Sequence, residues 1–60
     1  MIYERIAGLC ADRGIAVRQL EKAIGLGNGT IGAWREKLPR VDRLKKVADF
    51  FGVTVDYFLN

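Results

Sequence analysis

Ile2, Ile6, Leu9 and Cys10 recur at the i, i+4, i+7, i+8 interval of one helical face, which predicts an amphipathic helix over residues 2–13. Gly14 follows as a left-handed cap, and Gly8 within the segment costs a little helix propensity. Val17, Leu20, Ala23 and Ile24 repeat the interval over a second, shorter helix from about 16 to 24 that stops at Gly25. Ala16 is a poor N-cap for it, since alanine offers no oxygen to the orphan amides that follow. Further on, Val41, Leu44, Val47, Ala48 and Phe51 trace a helix that closes at Gly52. Thr54 then stands as N-cap to a last short helix, VDYFL, whose Val55, Phe58 and Leu59 fold back on the core while Asp56 suits its positive end.

Between the second and fourth periodic segments lies GLGNGTIGAW, residues 25–34, with four glycines in ten positions. Ile31 and Trp34 are three apart and share a stripe with Leu26, so a third helix is expected over about 28–36, interrupted by Pro39. The rival reading takes Asn28-Gly29 as a type I′ hairpin turn. A hairpin needs alternating strands on both sides, whereas helical spacing flanks this dipeptide, and the helix is preferred. With no strand signals elsewhere, the expected fold is all-α, five short helices in a single domain spanning residues 1–60.

Sixty residues support one domain that buries only about 60% of its unfolded surface, so stability is expected to be modest. Half the residues are hydrophobic, enough for a small core. No apolar run approaches the roughly 18 residues of a membrane span, and MIYERIAG lacks a signal-peptide core. A single cysteine, Cys10, cannot close an internal disulfide, so a cytoplasmic address is expected and Cys10 reads as a small buried hydrophobe. Without histidine the usual four-ligand zinc sites cannot form, nothing activates Cys10 as a nucleophile, and GLGNG lacks the preceding strand of a nucleotide fingerprint. Enzymatic activity, metal, cofactor, small-molecule substrate and membrane are accordingly not expected. The net charge is +3, and residues 35–46 hold six cations against Glu36 and Asp42, so the positive charge forms a patch.

Two short helices joined at Gly25 by a tight turn, buried through Leu20, Ile24, Ile31 and Trp34, make a helix-turn-helix whose outer face carries Asn28, Gly29, Gly32, Ala33 and Glu36. Leu20 with Gly25 five later, Thr30-Ile31, Trp34, Pro39 and the ending LKKVADFFGVTVDYFL at 44–59 together resemble the lambda-repressor/Cro-like XRE family of bacterial and phage DNA-binding regulators. That resemblance covers essentially the whole chain. It implies a transcriptional regulator, most simply a repressor acting as a homodimer on double-stranded DNA, with the third helix in the major groove and the second against the backbone. Carried over by position, the base-facing residues are Gly27, Asn28, Gly29, Gly32 and Ala33, with Thr30 near a phosphate. Of these only Asn28 offers the paired donor and acceptor suited to adenine, while Ala33 suits a thymine methyl. The chain departs from the family's usual residues at Ala16-Val17, where Arg18 substitutes as the phosphate contact, and at Gly27 and Arg35. Arg35, Lys37 and Arg40 are expected to grip phosphates.

Inside a helix Gly29 and Gly32 together would cost about 2 kcal/mol. Either the missing side chains let the helix approach the groove floor, or the positions are unconstrained because few bases are read; the second account is preferred. Trp34 is expected in the core, and the aromatic C-terminal region, Tyr57 above all, is a candidate for pairing two copies. The thin set of base-reading side chains leaves an alternative in which the same fold serves as a protein-interaction module without specific DNA binding.

Overall fold

The helical period is realised in four α-helices and one 3-10 helix in a computed structural model, which describes residues 2–59. They are α1 (Ile2–Asp12), α2 (Val17–Ala23), the 3-10 helix (Gly32–Arg35), α3 (Val41–Phe51) and α4 (Val55–Leu59). No strand occurs among the described residues. The all-α expectation therefore holds, and four of the five expected helices lie within a residue or two of their anticipated ends.

The expected third helix is the exception. Gly29 adopts φ +86°, the left-handed region, which breaks a right-handed helix at its second residue. Thr30 N–H donates to the Gly27 carbonyl at 3.1 Å, so residues 27–30 form a turn with positive φ at its third position, as in type II. Asn28 keeps negative φ, which excludes the type I′ hairpin as well. Beyond the turn, Trp34 N–H bonds to Ile31 O at 3.0 Å and Glu36 N–H to Ala33 O at 3.1 Å, the i to i+3 pattern of a 3-10 helix.

The other end of the turn is set by Gly25, at φ +78°. Leu26 N–H reaches back to Glu21 O at 2.8 Å and Gly25 N–H to Lys22 O at 3.4 Å, the two bonds of a Schellman ending that satisfies the last carbonyls of α2. At the start of α2, Ala16 has no side-chain oxygen to accept from the first helical amides, but its own N–H donates to Gln19 Oε1 at 2.7 Å. Half of a capping box thus survives.

α1 packs against α2, the 3-10 helix and α4, and α3 packs against α4. Ile6 and Cys10 of α1 meet Leu20, Ile31, Trp34, Phe58 and the α3 stripe of Leu44, Val47, Ala48 and Phe51 in one core. Burial pushes the Cys10 thiol pKa up, as a buried small hydrophobe requires. Three members of the expected stripes fall outside: Ala23, Val41 and Leu59 are exposed, Val41 by 74% and Leu59 by 58%. Each sits in the first or last turn of its helix, where the stripe runs past the element it packs on.

Two arginines fasten α1 to the C-terminal helices. The Arg5 guanidinium lies 5.7 Å from the Tyr57 ring centroid and donates to the Tyr57 carbonyl at 2.6 Å. Arg13 lies 5.1 Å from the Phe51 centroid and 5.6 Å from that of Phe50, and donates to the Phe51 carbonyl at 3.3 Å.

Candidate nucleic-acid interface

Arg18, Glu21 and Lys22 stand at i, i+3 and i+4 on α2 and so share one face. Arg18 and Lys22 are exposed, whereas Glu21 is only 3% exposed. Its carboxylate turns inward beneath the following turn: Oε1 accepts from Gly29 N–H at 3.1 Å and Oε2 from Ile31 N–H at 2.8 Å. The three residues, with Leu26 and Asn28, line a cleft of about 250 Å³ between α2 and the turn. Asn28 is exposed on its far wall, so a planar amide and two cations converge on one opening.

The remaining expected contacts spread outward from this cleft. Gly27 and Gly29 are exposed beside Asn28, Ala33 is exposed on the 3-10 helix, and Thr30 and Gly32 are half-buried. Arg35 is exposed but engaged: it donates to the Tyr3 hydroxyl at 2.9 Å with its guanidinium 4.4 Å from the ring centroid. That hydrogen bond, followed by the charge interaction with the phenol, raises the Arg35 pKa. Arg35 and Lys37 line a second, larger groove of about 520 Å³, whose apolar lining includes Ile2, Trp34, Leu38, Phe58 and Leu59. Arg40 precedes α3 and approaches Asp42 at 3.6 Å with both side chains largely solvated, a pairing of little energetic weight. The sequence-predicted residues thus form two groups: Arg18 and Asn28 meet at the cleft, while Arg35 and Lys37 lie along the other groove.

A helix, a turn with left-handed glycines at Gly25 and Gly29, and a short helical segment after it follow one another as in a helix-turn-helix, and the family comparison agrees: a helix-turn-helix family model matches residues 9–58. The chain belongs to the lambda-repressor/Cro-like helix-turn-helix family. No curated protein and no solved structure matches the chain. Membership makes this a DNA-binding type of fold, typical of transcriptional regulators. No helix among the described residues is long and apolar enough to cross a membrane.

Within this helix-turn-helix the sequence reading overlooked Lys22 and Glu21. Lys22 was accessible to it, being i+4 from Arg18. Glu21 carried a subtler signal, a carboxylate at i+4 from Val17 and i−3 from Ile24, on the apolar stripe of α2. A charge there must find donors, and the nearest are backbone amides of the turn.

Proposed function

We propose that this domain is a transcriptional regulator, most simply a repressor, that presents the outer surface of residues 27–36 to the major groove and blocks promoter access by occupying an operator as a homodimer. The cleft where Asn28 faces Arg18 and Lys22 is the observation that carries this reading. An exposed amide next to cations on the preceding helix combines base-edge hydrogen bonding with phosphate attraction. Backbone grip comes from Arg18, Lys22, Lys37 and Arg40, with Thr30 N-terminal to the 3-10 helix; Arg35 joins them only by leaving Tyr3. The longest dimension of one copy, 23 Å, is shorter than the roughly 34 Å between half-sites, so two copies fit on successive turns of one DNA face.

Amide chemical-shift mapping with random duplex DNA at low and moderate salt tests the reading. Perturbation centred on residues 18–40 that fades as salt rises supports it. Salt-insensitive perturbation of Ile2, Leu38 and Leu59 by a protein, with no response to DNA, replaces it with the protein-interaction reading, which the apolar groove favours.

A further inference from the structure

Glu21 is a buried carboxylate with no cationic partner among the described residues. Its oxygens are satisfied by two backbone amides alone, Gly29 N–H and Ile31 N–H, eight and ten residues downstream, and the ion pairs among the described residues lie elsewhere, at Arg40–Asp42 and Lys45–Asp49. Removing a charge from water is costly, and an apolar residue at this site would fill the α2 stripe without that cost. What the carboxylate provides is a cap. The 3-10 helix has no side-chain cap of its own, and Glu21 instead binds the amide of Gly29 within the turn and that of Ile31, the residue that precedes the 3-10 helix. The two bonds straddle Thr30 and begin one residue after Asn28, clamping the turn against the helix that carries Arg18 and Lys22.

We infer that Glu21 is a positioning residue for sequence discrimination: by holding Gly29 and Ile31 it fixes where Asn28 stands relative to the phosphate-facing cations of α2. The inference rests on the reading of this surface as the DNA face. A negative charge repels a polyanion, so Glu21 does not itself favour binding to DNA, and any gain it brings passes through the side chain it aims. Glutamine at the same place keeps the shape and one acceptor, but it offers an NH2 donor where the second amide also donates, and the clamp opens on one side.

The test uses a duplex selected from a randomised pool by the unaltered chain, and a scrambled duplex of the same length. Glu21→Gln is expected to lower the ratio of affinities for the two by about tenfold, the weight of one well-placed bidentate base contact, with the loss falling on the selected duplex; affinity for the scrambled duplex is not lowered, since the substitution removes a negative charge beside Arg18 and Lys22. In an Asn28→Ala background the same substitution is expected to change the ratio less than twofold, because its effect passes through Asn28. Equal loss in both backgrounds, or full discrimination by Glu21→Gln, overturns the inference. Hydrogen exchange in the unaltered chain gives an arm independent of folding of the variant. Gly29 and Ile31 amides are expected to gain protection with the selected duplex and not with the scrambled one; equal gain with both overturns the inference. If the unaltered chain enriches no duplex from the pool, the DNA reading itself fails and this inference with it.

Discussion

Gly29 and Gly32 lie three residues apart, and replacing each by alanine is expected to move stability in opposite directions. A Cβ added at either position meets no heavy atom within 4 Å, so crowding does not separate them. The backbone does. At Gly29, with φ +86°, an L-residue pays the left-handed penalty of about 1–2 kcal/mol, and the strain falls on a residue whose N–H binds Glu21 and whose carbonyl accepts from Ala33 N–H at 3.1 Å. Gly32 has no positive φ, so alanine there restricts only the unfolded chain and stabilises by about 0.5–1 kcal/mol. In a domain this small each kcal/mol shifts Tm by about 4–8 °C, which puts the two variants on opposite sides of the parent by a readily measured margin. Thermal melts followed by far-ultraviolet circular dichroism make the comparison. D-alanine at position 29, accessible by chemical synthesis of a 60-residue chain, is the mirror control and is expected to stabilise. Gly29→Ala melting at or above the parent would refute the reasoning, since residue 29 would then be right-handed and residues 28–36 the regular helix that periodicity predicts.

Trp34→Ala removes a large side chain only 6% exposed and is expected to cost about 3–5 kcal/mol, most of the stability of a domain this size, seen as loss of a cooperative urea transition. Burial raises the Cys10 pKa in the folded state, so the unfolded chain loses the thiol proton first; stability is therefore expected to be flat at neutral pH and to fall as pH rises past the ordinary thiol range, and urea midpoints from neutral to alkaline pH, compared with Cys10→Ala, check the sign. Lys22→Gln is expected to lower the salt slope of binding to random duplex by about one, whereas Arg35→Gln leaves the slope unchanged and lowers Tm through loss of the Tyr3 contact; a slope change for Arg35 alone would reverse the assignment.

Most of the fold was legible because it rests on local chemistry. The stripes of α1, α2 and α3 are written at helical spacing, and Gly25 and Gly52 mark where two of those helices end. The third helix misled because Ile31 and Trp34 keep helical spacing even across a 3-10 segment, and both are indeed buried. Asn28-Gly29 did announce a turn; the tertiary setting made it a turn between helical segments. It also makes Gly29 a required glycine, where the preferred sequence account left it unconstrained. Of the candidate site, the sequence singles out Arg18 and Asn28, but does not show that they line one cleft with Glu21 between α2 and the turn. The clamp from Glu21 ends on backbone amides, which every residue but proline has, so no pattern of side chains reveals it.

The same reasoning bears on the charge. Counting side chains makes residues 35–46 the positive patch, yet the structure gives Arg35 other work, as it does Arg5 and Arg13 outside that stretch. Arg5, Arg13 and Arg35 each lie over an aromatic ring and donate a hydrogen bond, two of them to carbonyls and one to a phenol. A chain that buries so little surface gains from such contacts, because a guanidinium on a ring fastens α1 to elements distant in sequence while leaving its edge in water. Lys45 bonds Asp49 at 3.0 Å and Arg40 leans toward Asp42, which leaves fewer unpaired cations in that stretch. Among the described residues, Arg18, Lys22, Lys37, Arg43 and Lys46 have neither a side-chain ion pair nor a ring contact, and two of these belong to α2, outside the patch. Counterion release follows cations that reach phosphate, so on the function proposed above Arg18 and Lys22 of α2 are expected to carry a share of the salt dependence that a count over residues 35–46 omits.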